Sequence, residues 1–269
     1  MVIGTDIFRE RFRNFVEQFT IIGGTACSIL FDEADLEFRS TRDFDIVLIV
    51  EALNESFARV FWDFIAEGGY EFQEKSSGTP QFYRFSRPSH ENFPKMIELF
   101  SRIPDGMKLH EENRLTPIHI CDEISSLSAI LLNDDYYYFL RTGRSEVDSL
   151  PVLNATYLVP FKMKAWLDLT DRKNKGQAVD SKDIKKHRND VFRLIPLLSV
   201  TDRVEVPKSI KADIDAFLNQ MPNETIDLKS LGIQRRTLKS ILELYSKLYV
   251  CEKKRDSRNS RNKQELNID

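Results

Sequence analysis

Apolar residues recur at steps of three and four along Phe8, Phe12, Phe15, Val16 and Phe19, which predicts an amphipathic helix over residues 6–19. The apolar run 19–22 reads as a short strand. It ends in Gly23-Gly24, a tight turn that opens a second helix over 25–31. Residues 44–50 are almost all apolar, as expected of a strand covered on both faces. Residues 56–68 return to a helical period, with Phe57, Val60, Phe61, Phe64 and Ile65 on one side and Gly68-Gly69 as the stop. Residues 81–86 partly alternate and 95–101 are apolar around one acid, so both read as strands that pair. A short strand and a helix are expected within 118–132, and two more strands at 136–141 and 154–159. The aromatic run Tyr136-Tyr137-Tyr138-Phe139 reads as core, because no basic residues interleave to make a base-stacking platform.

Pro160 favours a first helical position and predicts a helix over 161–170. A polar loop follows to 179. Asp180 then caps a helix that runs to 194. Apolar stripes predict helices over 207–218 and 234–249. Residues 253–269 show no apolar period and read as a disordered tail. Strands come early and helices late. The chain is therefore expected to be α+β, with a strand-bearing domain over 1–159, a helical domain over 160–250 and a tail over 251–269. No internal repeat is visible.

The chemistry concentrates on two short stretches. Residues two apart in a strand share a face, so Asp43 and Asp45 project together while Phe44 and Ile46 turn away. Two adjacent carboxylates repel each other unless a cation lies between them, and Mg²⁺ with oxygen ligands is the usual solution. Gly23-Gly24-Thr25 opens a helix, and a helix N-terminus with glycine binds phosphate through free N–H groups. Either stretch alone is most often bland, a turn or a solvated strand end; their order points to a site. Glu98 is an acid inside the apolar run Met96-Ile97-Leu99-Phe100, which is costly without a partner. It faces a site, or faces solvent on an edge strand, or pairs with Arg84 across the hairpin. Lys162 and Lys164 lie about 200° apart on a helix, so only one can face a given cleft. Asp183 is good helix-start chemistry in its own right.

The succession Gly23-Gly24-Thr25-Ala26 and Arg42-Asp43-Phe44-Asp45 resembles the signature of the DNA polymerase β-like nucleotidyltransferases. The connection between Gly24 and Asp43 is longer than in that pattern. Adding Lys162-Met163-Lys164-Ala165-Trp166-Leu167 and Lys182-Asp183-Ile184, the chain is similar to the AbiEii/AbiGii-type toxin nucleotidyltransferases of bacteria. The resemblance implies a mixed sheet with flanking helices followed by a helical domain. It implies nucleotide binding at Gly23, Gly24, Thr25 and Arg42, metal ligands at Asp43, Asp45 and Glu98, and catalytic roles for those three acids with Lys162 and Asp183. It implies Mg²⁺, with Mn²⁺ as a substitute, and a nucleoside triphosphate as donor. The acceptor would be RNA, tRNA-like, or protein, and a cognate antitoxin would be a partner.

Composition narrows this little. Of 269 residues 41% are hydrophobic and 30% charged, enough for a sizeable core. The net charge of -3 excludes nucleic-acid binding by bulk charge and leaves only a local basic patch. Cys27, Cys121 and Cys251 show no metal spacing; with no long apolar run, a cytoplasmic protein without a membrane segment is expected. Cys27 is expected to be a small core residue. An intact acid set favours an enzyme over a catalytically silent relative that keeps the fold as a binding protein. A kinase-like phosphotransferase would also use the acid pair, but no kinase motif is present.

Overall fold

The computed structural model describes residues 2–49, 51–71, 82–100, 130 and 133–252. The expectations for 118–129, for Cys121 and for the tail from 253 lie outside these residues. The fold is α+β with a central mixed sheet flanked by helices. Among the described residues six strands form this sheet in the order β3-β4-β2-β1-β6-β5. They are β1 (Phe19–Ile22), β2 (Asp43–Leu48), β3 (Phe82–Ser86), β4 (Met96–Phe100), β5 (Arg144–Val147) and β6 (Leu150–Leu153). β1 runs antiparallel to β2 and parallel to β6, while β2 runs parallel to β4. The hairpins β3–β4 and β5–β6 close the two edges.

The alternation in β2 divides the molecule. Phe44 and Ile46 point to one face, where α1 (Thr5–Phe12) and α3 (Glu55–Gly68) pack against each other. Phe8 lies 5.2 Å from Phe44 and 5.7 Å from Phe64, and Phe12 lies 6.1 Å from Phe61, ring centre to ring centre. The opposite face carries Asp43 and Asp45. It is covered by α2 (Gly23–Glu33) and α5 (Ala155–Asn174), with α6 (Ser181–Arg193) and α7 (Lys208–Gln220) packed on α5.

Several elements depart from the sequence expectation. The first helix stops at Phe12, and Phe15 and Phe19 reach the core from the turn and from β1. The aromatic run 136–141 is not a strand but helix α4 (Asp134–Thr142). The Asn133 side chain accepts from the N–H groups of Asp135 and Tyr136, and two acids occupy the first turn. Tyr136, Tyr137, Phe139 and Leu140 are buried while Tyr138 is exposed, so a helix serves these aromatics where their strand propensity suggested otherwise.

Residues 154–159 are likewise helical. The Asn154 side chain caps Thr156 N–H, and α5 begins at Ala155, ahead of Pro160. Pro160 therefore sits inside the helix and cannot donate to the Thr156 carbonyl. The Tyr249 hydroxyl donates to that carbonyl instead, at 2.6 Å, and both groups are thereby satisfied within the core. Tyr249 opens β8 (Tyr249–Cys251), which pairs in parallel with β7 (Val204–Val206), a small sheet that no alternation announced. The last helix, α8 (Leu238–Leu248), starts late, at a reciprocal cap between Thr237 and Ser240.

Among the described residues no helix is long and apolar enough to cross a membrane. Cys27 is fully buried, and burial pushes its thiol up to about 12, so it behaves as an inert core residue.

Candidate active site

The start of α2 is built against the acids of β2. The Ile22 N-cap supplies no side-chain acceptor, so the first N–H groups of the helix have no cap. Gly23 has φ +67°, and a Cβ there would lie 1.7 Å from Asp45 Oδ2. A side chain there would strain the backbone and displace the Asp45 carboxyl, so the position favours glycine. A Cβ on Gly24 would meet Thr41 Oγ1 at 2.5 Å. Thr25 is buried, and its hydroxyl donates to the Asp43 carbonyl at 2.5 Å. That bond ties the first turn of α2 to the start of β2.

Register then brings in the third acid. β2 and β4 are parallel, with Asp45 opposite Glu98. Register therefore sets the two carboxyls side by side on the cleft wall. Burial, and then the charge of Glu98, raise Asp45 well above the ordinary carboxylate range; Lys162 opposes this, and Asp43 adds to it. Glu98 takes two of the alternatives that its sequence left open. It lines the cleft, and it accepts from Arg84 Nε at 2.8 Å and Nη2 at 2.7 Å.

The opposite wall is helical and basic. Leu158, Phe161, Lys162 and Ala165 of α5, with Lys186 and His187 of α6, face the acids across a cavity of about 120 Å³. Ile22, Gly23, Gly24 and Thr41 complete its lining. Lys162 is only 4% exposed, and its Nζ lies 3.2 Å from Asp190 Oδ2. Lys164 points elsewhere, to Asp168 and Asp213, each at 3.2 Å.

Asp190 is the residue that sequence reasoning missed. It is fully buried on α6 and accepts from Arg39 at both oxygens, at 2.8 Å and 2.6 Å. Arg193 Nη1 adds a contact at 3.4 Å. Burial alone would raise the Asp190 carboxyl, but Lys162 and Arg39 outweigh it and hold the group well below the ordinary range. This network joins three distant segments: the loop before β2, the cleft wall of α5, and α6. His187, one turn before Asp190, is pushed down to about 3 by burial and by the charge of Lys162, and stays neutral. Its Nδ1 is buried without a hydrogen-bond partner among the described residues. The local signal for Asp190 was weak: one acid within Lys185-Lys186-His187-Arg188-Asn189-Asp190, on the buried side of a helix.

The structure thus gathers Gly23, Gly24, Asp43, Asp45, Glu98 and Lys162 around one cleft. It does not bring in Asp183, which is exposed in the first turn of α6 near its cap Asp180. Nor does it bring in Arg42, which is exposed and lines a separate groove. The Thr25 side chain is spent on the Asp43 carbonyl.

No protein-family model matches the chain, and no curated protein sequence is significantly similar to it. Among solved structures it is similar to an antigenic nucleotidyltransferase-like protein from Paracoccidioides brasiliensis. The TM-score is 0.40 at 14% identity, covering 87% of this chain and 96% of that one. It is also similar to JHP933 from Helicobacter pylori, with TM-score 0.33, 12% identity and 90% of each chain covered. At TM-scores below 0.5 such likeness identifies no activity. Neither comparison joins the chain to the AbiEii/AbiGii toxins.

Proposed function

We propose that this chain is a Mg²⁺-dependent nucleotidyltransferase that moves a nucleoside monophosphate from a nucleoside triphosphate to an acceptor hydroxyl on RNA or protein. One observation carries the reading. Three carboxyls line one cleft, Asp45 opposite Glu98 in the parallel pair β2–β4, directly beneath an uncapped helix N-terminus whose first glycine leaves no room for a Cβ beside Asp45.

The donor set suits the metal. All three side chains offer hard oxygen ligands. Among the described residues no group of three acid, imidazole or thiol side chains makes a ready metal cage. Mg²⁺ does not need one, since it is commonly held by one or two carboxylates together with substrate phosphates and water. Asp43 and Asp45 would hold it, or Mn²⁺ in its place. When bound, the ion would offset phosphate charge as a Lewis acid and neutralise the repulsion between the acids that hold it.

The chain's own groups would do the rest. The N–H groups at the start of α2 would donate to phosphate oxygens. Lys162 would face the triphosphate from the helical wall and offset charge on the departing pyrophosphate. Glu98, beside the acid pair, would take the proton of the attacking hydroxyl. The new bond joins that oxygen to the α-phosphorus as the bond to pyrophosphate breaks. Asp190 and Arg39 touch no substrate in this scheme; they position Lys162. By its resemblance the protein would be the toxin of a two-gene system with a cognate antitoxin.

Titration calorimetry of a nucleoside triphosphate, with and without Mg²⁺, is the test. Mg²⁺ should raise the affinity of the wild type and leave that of Asp45→Asn unchanged. Nucleotide binding that ignores both metal and substitution would sink the proposal. A second reading, a silent nucleotide-binding protein, draws on the clasp of Arg84 on Glu98, which competes with its role as base. Mg²⁺-dependent binding with no transfer of label from any nucleotide into RNA or protein would select it.

A further inference from the structure

Beside the cleft lies a second, larger groove of about 800 Å³, and Thr41 forms a wall of both. Its two ends differ. Arg42 and Lys95 line the end nearest the acids. They are the residues immediately before Asp43 and Met96, which are register partners in the parallel pair β2–β4. Strands so paired run about 4.8 Å apart, which sets the two cations side by side. Both side chains are exposed, and neither has a hydrogen-bond or ion-pair partner among the described residues.

The far end has opposite character. Asp32 lies roughly 13 Å along the α2 axis from Gly23, by the rise of a helix. Glu37 follows it in the turn after α2, beside the exposed Leu36. Arg39 also lines the groove but is paired with Asp190, so Arg42 and Lys95 are the lining cations left to act beside the reacting groups. One phosphate placed next to the cleft would be held by these two cations.

We propose that this groove is the acceptor subsite, and that Arg42 and Lys95 clamp the phosphodiester next to the reacting hydroxyl at the end of an RNA strand. The proposal rests on the transferase reading above. It moves Arg42 from the donor nucleotide to the acceptor and adds Lys95. The subsite suits a strand terminus better than a polypeptide, because two unpaired cations lie where the acceptor must present its hydroxyl. It also reconciles RNA with a chain of net charge -3, since attraction is needed only locally.

The test measures two affinities in parallel: a nucleoside triphosphate with Mg²⁺, and a short fluorescein-labelled single-stranded RNA with a free terminal hydroxyl. Lys95→Gln should weaken the RNA several-fold and lower the salt slope of its binding by about 0.7, the share of one single-strand phosphate contact. Its triphosphate affinity should not change. Arg42→Gln should weaken the RNA likewise. Unchanged RNA affinity and salt slope in both variants would overturn the subsite. So would an Arg42→Gln variant that loses triphosphate and keeps RNA. Transfer of label from the nucleotide into protein and never into RNA would replace it with a polypeptide acceptor. Wild-type protein that binds the RNA yet takes no triphosphate would overturn the acceptor role through failure of the transferase reading, a result distinct from the other three.

Discussion

The two faces of the central sheet are built by opposite physics. Under one, Phe8, Phe12, Phe44, Phe57, Phe61 and Phe64 form a dry aromatic layer with ring centres about 5–6 Å apart. Each such side chain contributes roughly 1.5–3 kcal/mol when buried. Over the other, three acids, two cations and a neutral histidine line a cleft, and Asp190 is sealed behind them. Burying charge at best breaks even against an apolar replacement, so that face is not arranged for stability. It holds charged groups in close contact, with the Asp45 carboxyl raised and the Asp190 carboxyl lowered from the ordinary range, a perturbation that clusters at functional sites. The aromatic face supplies the stability that lets the charged face keep its strain.

The sharpest way to break the contrast is Asp190→Ala. It leaves Arg39 and Lys162 without their buried partner, and should cost about 3–5 kcal/mol of stability by urea denaturation. A loss under about 1 kcal/mol would show that water already reaches the network. Phe12→Ala tests the other face. It should cost about 3–5 kcal/mol through the cavity it leaves, yet spare nucleotide affinity per folded molecule. A comparable loss of affinity would show that the two faces are coupled through the sheet.

Smaller effects sharpen the comparison within the charged face. Lys162→Ala should slow single-turnover transfer by about 10²-fold, the scale of one lost charge-stabilising group. Lys164→Ala should leave the rate near normal, because its ammonium is committed to Asp168 and Asp213. Equal rates in the two variants would remove Lys162 from the chemistry. Without metal, Asp45→Asn should raise the melting temperature by a few degrees, on the order of 1 kcal/mol for relieving strain at a site. The sign follows from Asp45, whose carboxyl is raised in the folded state: its favourable contribution exists at acid pH and is lost as pH rises through the folded value. A lower melting temperature would mean that the charged form is already well solvated.

His187 has no effect at neutral pH and acts only in acid. Its folded value lies near 3 against an ordinary 6.5. Above 6.5 both states are neutral there. As pH falls from 6.5 toward 3 the unfolded chain takes up a proton that the folded chain refuses, and stability declines. His187→Gln should flatten that decline in denaturation curves measured across this range. An unchanged slope would place the acid sensitivity elsewhere, Asp190 being the next candidate at lower pH.

How much of this was legible depended on the distance over which each signal acts. Asp43 and Asp45 could be paired because strand alternation is a local rule, and the glycine turn because backbone conformation is local too. Glu98 could be suspected as an acid in an apolar strand, but its place opposite Asp45 is a matter of register between strands. For the lysines, periodicity showed that one must face away; packing of α5 against α2 and α6 decided that it is Lys164. The two acids of α6 show the limit best. Asp183 and Asp190 lie nearly in line on α6, about 20° apart around the helix and roughly 10 Å apart along it. Helical periodicity is blind to that axial choice.

The sequence by itself determined which residues could turn, alternate and carry charge: the glycine-led helix, the acid pair on its strand, the aromatic stripes and the late helices. Those are consequences of local backbone geometry and of side-chain chemistry, which need no knowledge of neighbours. Only the tertiary structure decided which charges meet. Arg39 and Asp190 lie 151 residues apart, and an ion pair over that separation is selected by how helices stack on a sheet. The same holds for the Thr156 carbonyl left open by Pro160 and filled by Tyr249. In both cases burial makes an unpartnered polar group expensive, so the fold must bring the partner, and nothing near either residue in the chain names it.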